Sequence, residues 1–163
     1  MSSVNKNLSE FEGSAIPNGA EMKVGLVVSE WNTPVTGALL HGALKTLLEN
    51  GVQQKNIVLK HVPGSFELTI GAQFLCEDQS IDGVITLGCV IQGETRHFDF
   101  ICDAVANGVT TVSLKYNKPV IFGVLTPNTL EQAMDRAGGK HGNKGDEAAV
   151  TVLKMIAMKK GLS

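Results

Sequence analysis

Charge is scarce in this chain of 163 residues: 18% of its positions are Asp, Glu, Lys or Arg, against roughly 25% in an average soluble protein. A disordered or strongly electrostatic chain needs more, so the sequence reads as a packed one. Lys and Arg total 14, Asp and Glu total 16, and the net charge is -2 with no basic run, which excludes general binding to nucleic acid or to an anionic membrane. Cysteine is scarce too, with three residues, an odd number, and no CxxC spacing, so disulfides are not expected. His41, His61, His97 and His141 show no metal-ligand spacing with one another or with the cysteines, and no metal site is expected. No apolar stretch reaches the roughly 18 residues of a membrane span. The first seven residues lack the apolar core of a secretory signal, which gives the expectation of a cytoplasmic protein. A small molecule or another protein is left as partner.

What is present is a single core's worth of apolar residues. The length suits one domain, since halves would each have a marginal core, and 43% of positions are hydrophobic. Residues 1–21 are polar and irregular, with Pro17-Asn18-Gly19 as a turn signal, and read as an extended arm before a domain at 22–163. Short apolar runs at 24–28, 57–62, 84–90 and 120–125 predict strands buried on both faces. Helical patterns lie between them: one capped by Thr33, with Pro34 at its first position and Gly51 ending it, others at about 66–76 and 95–115, a short one at 130–136 and a last at 146–159. Gly138-Gly139 reads as a break. Strands alternating with helices predict a three-layer αβα fold around a four-stranded, mainly parallel sheet. A surface so sparsely charged also suggests that part of it is buried against other subunits.

In an open parallel sheet the ligand lies beyond the carboxyl ends of the strands. The segments there are Glu30-Trp31-Asn32, Pro63-Gly64-Ser65-Phe66-Glu67 and Gln92-Gly93-Glu94-Thr95-Arg96-His97, while Phe122-Gly123 lies near the end of the fourth run. Gly93 permits a tight turn, and Thr95 at a helix N-terminus makes an anion site, with His97 beside it to carry a proton. Taken alone, this motif is better explained as a plain capped helix with a surface His. Arg136 and Lys144 flank the glycine-rich break and could meet a phosphate, although solvated surface charge is the simpler account of each. Trp31 could stack on a planar heterocycle, but a lone Trp more often fills a core or an interface. Glu67 could accept hydrogen bonds from a polyol or simply favour a helix start. Cys89 near His97 makes a thiol nucleophile conceivable, yet nothing in the sequence lowers its pKa.

Together these segments resemble the lumazine synthase family over nearly the whole chain: Val-Val-Ser-Glu-Trp-Asn at 27–32, Val-Pro-Gly-Ser-Phe-Glu at 62–67, Leu-Gly-Cys-Val-Ile-Gln-Gly-Glu-Thr-Arg-His-Phe at 87–98, Pro-Val-Ile-Phe-Gly-Val-Leu-Thr at 119–126 and Glu-Gln-Ala-Met-Asp-Arg-Ala-Gly at 131–138. Five motifs in order outweigh the simpler accounts of the single residues. The resemblance implies a flavodoxin-like, doubly wound fold and a riboflavin-pathway enzyme without metal or organic cofactor. Its reaction condenses 5-amino-6-(D-ribitylamino)uracil with 3,4-dihydroxy-2-butanone 4-phosphate, giving 6,7-dimethyl-8-ribityllumazine, phosphate and water.

By the same resemblance Trp31 stacks on the pyrimidine, Ser65, Phe66 and Glu67 line the ribityl chain, and Cys89, Val90 and Ile91 hold the ring edge. Glu94 and Thr95 match the phosphate-binding turn, Arg136 clamps the phosphate, and Phe122 and Arg136 come from the neighbouring subunit. Lys144 matches a basic residue close to the site. His97 is the candidate for proton transfer while a Schiff base forms, phosphate leaves and the second ring closes. Much of the acceleration comes from holding two substrates in register. A carboxylate at Glu94 fits a phosphate site only if its backbone N–H binds and its side chain turns away, and Trp31 replaces the commoner Phe.

The assembly implied is a homo-oligomer, a pentamer that the spacing at 139–145 aligns with members closing into icosahedral shells. The arm at Phe11-Glu12-Gly13 resembles one that adds a strand to a neighbour's sheet. The resemblance leaves room for association with riboflavin synthase. Two rivals stand beside it. One is a relative that kept the architecture and lost turnover, against which the presence of both His97 and Arg136 argues. The other is a flavodoxin-like binding module, which the alternation of strands and helices permits but which does not explain the residues gathered on the rim.

Overall fold

The structure, a computed structural model, describes residues 7–11 and 15–161. Four parallel strands form the central sheet: β1 (Val24–Ser29), β2 (Ile57–Val62), β3 (Gly83–Cys89) and β4 (Val120–Leu125), in the order β2-β1-β3-β4. Between and after them run α1 (Thr33–Glu49), α2 (Leu68–Glu77), α3 (His97–Tyr116), α4 (Leu130–Asp135) and α5 (Lys144–Gly161). A small antiparallel hairpin, β5 (Ala137–Gly139) with β6 (Gly142–Asn143), lies between α4 and α5.

Strand side chains alternate between two apolar layers, the period-two consequence of the pleat. Leu26 and Val28 join Leu39, Ala43 and Leu47 of α1 and Val152, Leu153 and Ile156 of α5. Val27, one residue out of phase, joins Leu68, Ala72 and Leu75 of α2 and Val105 and Val109 of α3. The sheet is thus covered on both faces, a flavodoxin-like three-layer arrangement. Small residues let the layers close: a Cβ at Gly145 would overlap the Leu39 carbonyl, so α5 begins in direct contact with α1.

Several expectations are corrected. β2 has the expected bounds, but as an edge strand it leaves Leu59, Lys60 and His61 exposed instead of burying both faces. Thr33 opens α1 without capping it: the cap position is Asn32, at φ 62°, and the Thr33 hydroxyl donates to the Glu30 carbonyl at 2.7 Å. Thr95 does not cap α3, whose cap position is Arg96; its hydroxyl accepts only a long hydrogen bond from His97 N–H, 3.4 Å. The break at 138–139 is the β5–β6 hairpin. The Glu12-Gly13 portion of the expected arm strand lies outside the described residues.

Candidate active site

Beyond the carboxyl ends of β1 and β2 the chain stays zipped, with Glu30 N–H donating to Val62 O at 2.8 Å and Trp31 N–H to Pro63 O at 3.2 Å. On the other side, Val90 N–H donates to Leu125 O and Gln92 N–H to Pro127 O. These bonds hold the strand-end loops around a cavity of about 770 Å³, in the range of small-molecule sites.

The cavity wall contains Trp31, Ser65, Phe66, Glu67, Cys89, Val90, Ile91 and His97. Trp31 and Phe66 stand at its mouth, 74% and 56% exposed. They offer two aromatic side chains that the described residues leave largely uncovered. Glu67 occupies the N-terminal cap of α2, and its Oε2 accepts Gly64 N–H at 3.0 Å, which fixes the carboxylate at the wall. Ser65 is buried, and its hydroxyl has no hydrogen-bond partner among the described residues. An orphaned buried hydroxyl costs about 1–3 kcal/mol, a cost that a polyol hydroxyl in the cavity would relieve. Gly88 makes room for it, since a Cβ there would lie 2.8 Å from Ser65 Oγ.

Cys89 is 1% exposed, and burial pushes its thiol up to about 11. A thiolate nucleophile therefore gains nothing from this environment, and Cys89 serves as an apolar wall residue.

Other expected residues fall outside this wall. Glu94 and Thr95 lie in the exposed turn just before α3, beside an exposed Arg96–Asp99 ion pair of 3.5 Å. Phe122 points from β4 into the layer formed with α2 and α3. Arg136 is the C-cap of α4, partly buried and not among the residues lining the cavity of its own chain. Lys144 is engaged with Glu147 at 2.7 Å in a largely buried pair.

The wall also includes Asn32, Pro63 and Gly64, which belong to the expected rim segments but were given no role there, and Ile101, which was not expected. Ile101 is four residues after His97 on α3, so a helical i, i+4 rule finds it. Asn32 had a weaker signal: it adopts the left-handed region that Asn tolerates, and its Nδ2 donates to Cys89 O at 2.8 Å, tying the Trp31 loop to the end of β3.

The family model for 6,7-dimethyl-8-ribityllumazine synthase matches residues 21–160. A 6,7-dimethyl-8-ribityllumazine synthase of Cytophaga hutchinsonii is 60% identical over 157 residues, covering 96% of this chain and 98% of its own. Proteins of the same name from Parabacteroides distasonis and Porphyromonas gingivalis are 53% and 49% identical, covering 96% and 98% of this chain and 98% and 99% of their own.

Proposed function

The chain belongs to the 6,7-dimethyl-8-ribityllumazine synthase family, and from that premise we propose how its residues divide the work of the reaction. It is a transferase of riboflavin biosynthesis, condensing 5-amino-6-(D-ribitylamino)uracil with 3,4-dihydroxy-2-butanone 4-phosphate to 6,7-dimethyl-8-ribityllumazine, phosphate and water. One observation carries the assignment of roles: aromatic, hydroxyl, carboxylate and imidazole groups from three separate strand-end segments face a single cavity.

In this reading Trp31 stacks on the pyrimidine, and Cys89, Val90 and Ile91 hold the ring edge. The ribityl chain runs along Ser65, Phe66 and Glu67, where the unpaired Ser65 hydroxyl and the anchored Glu67 carboxylate receive its hydroxyls. His97, in the first turn of α3, moves protons as the amine adds to the ketone, phosphate departs and the second amine closes the ring. The phosphate lies over the Gly93–Glu94–Thr95 turn with backbone N–H groups as donors. Most of the rate comes from holding two reactants together.

The cation and the last aromatic wall, Arg136 and Phe122, come from a second copy of the chain. Supporting this are their absence from the wall of their own cavity and the exposed apolar side chains Trp31, Phe74 and Phe100, 74%, 62% and 68% exposed, which a monomer would leave in water. The assembly is a pentamer that closes further into a shell. The cytoplasm is its place, a reducing compartment that suits three free cysteines.

Mixing the purified protein with both substrates and following lumazine absorbance together with phosphate release tests the reading. A rate no greater than the spontaneous reaction overturns it. Sedimentation that gives a monomer active at full rate overturns the shared site.

A further inference from the structure

We propose that residues 7–9 form a strap that positions Arg136, and so sets affinity for the phosphate-bearing substrate from outside the site. The inference rests on the reading of Arg136 as the phosphate clamp.

Arg136 is held by its backbone. Its N–H donates to Ala133 O at 3.1 Å, and its carbonyl accepts Lys144 N–H at 2.9 Å, the bond that begins the β5–β6 hairpin. That hairpin has strands of three and two residues. A two-stranded ladder of such length has no stability of its own, so its shape is imposed by what packs on it. One support is α1, where Asn143 Nδ2 donates to Ala38 O at 2.9 Å. Another is the strap.

The strap is a preformed turn: Asn7 Oδ1 accepts Ser9 N–H at 2.9 Å, and Asn7 O accepts Glu10 N–H at 3.3 Å. Leu8, though close to the chain's start, is 6% exposed. Its N–H donates to His141 O at 2.7 Å, and His141 N–H donates in turn to Asp135 O at 2.9 Å. One residue, His141, thus links the strap to the residue preceding Arg136. Ser9 Oγ closes the other end, accepting Asn143 N–H at 3.0 Å and donating to Asp146 Oδ2 at 2.6 Å. Gly142 receives the turn: at φ 78° it has no side chain, and a Cβ there would overlap Asn7 Oδ1. Residues that served only as an outer arm would not need a backbone bond to His141 and a hydroxyl that joins Asn143 of β6 to Asp146 in the first turn of α5.

The test measures KM for each substrate, kcat, and inhibition by inorganic phosphate in Ser9→Ala, Ser9→Thr, a chain lacking residues 1–9, and Arg136→Ala, with sedimentation of each. Ser9→Ala and the truncation are expected to raise KM for the phosphate substrate and weaken phosphate inhibition by the same factor, about fivefold, the size of one neutral hydrogen bond. KM for the uracil and kcat stay within about twofold, as loss of uniform binding of one substrate requires. Ser9→Thr, which keeps the hydroxyl, restores phosphate affinity. The strap is overturned if Arg136→Ala is selective for the phosphate substrate while Ser9→Ala and the truncation leave both KM values unchanged or raise them equally. If Arg136→Ala itself raises both equally, the reading of the clamp falls first and takes the strap with it.

Discussion

Replacing Cys89 by Ala separates a wall residue from a nucleophile. The thiol is 1% exposed at the end of β3, and burial raises it from 9.0 to about 11. Two pH units in ionisation make its thiolate at pH 8 about 100-fold rarer than that of an ordinary cysteine. The sign follows directly: the folded chain prefers the protonated thiol, a preference that supports the fold below pH 9 and is lost as pH rises from 9 to about 11. Iodoacetamide at pH 8, read by peptide mass mapping, is therefore expected to label the partly exposed Cys102 well before Cys89. Labelling of Cys89 should then climb about tenfold per pH unit toward 11, as thiolate reactivity requires. In steady-state assays Cys89→Ala should change kcat by no more than about threefold, because it removes a small hydrophobe beside the ring. It should raise KM for the uracil more than KM for the phosphate substrate. Removing a true nucleophile can cost about a millionfold in kcat, so a loss of a thousandfold or more, or rapid labelling of Cys89 at pH 7, would refute the reasoning.

Three further outcomes are expected. Trp31→Ala should raise KM for the uracil by about 5- to 150-fold, the cost of one lost base stack of about 1–3 kcal/mol, whereas Trp31→Phe should stay close to the parent; equal losses would remove stacking as the role. Asn32→Ala breaks the bond to Cys89 O and places Ala at φ 62°, so urea unfolding should report a loss of about 2–3 kcal/mol from one hydrogen bond plus the left-handed penalty. An unchanged midpoint would show that the tether is dispensable. Gly145→Ala puts a methyl into the Leu39 carbonyl where α1 meets α5, and it should yield insoluble protein or a chain without cooperative unfolding; a normal melting curve would contradict the close packing.

The strand cores were legible because they are local. Six or seven consecutive apolar or small residues at β1 and β3 can only be buried on both faces. β2 was found with the right bounds and the wrong environment, since Lys60-His61 already marks an edge strand and the short run around it hides that mark. The starts of α2 and α3 come two residues later than their patterns suggested, because Ser65–Glu67 and Gly93–Arg96 make turns before the helices begin. The hairpin after α4 was illegible. Ala137-Gly138-Gly139 has neither alternation nor β-branched residues, and its shape is fixed by Asn143 and the distant Ser9, contacts that no local pattern contains. At the site, Trp31, Ser65, Phe66, Glu67 and His97 could be named from motifs and do meet at one cavity. The part played by Asn32, already quoted in a rim segment, escaped because it is a backbone angle and a bond to a carbonyl 57 residues away.

The position of Trp31 gives this chain a built-in optical probe. It is the only indole in the sequence, and it stands 74% exposed at the mouth of the cavity. All of its long-wavelength emission therefore reports one spot, where, on the roles proposed above, a stacked heterocycle would quench by contact and a neighbouring subunit would shift the spectrum to the blue by expelling water. Emission recorded during dilution and during ligand titration would then follow assembly and occupancy as two separable signals, without a label and without waiting for turnover.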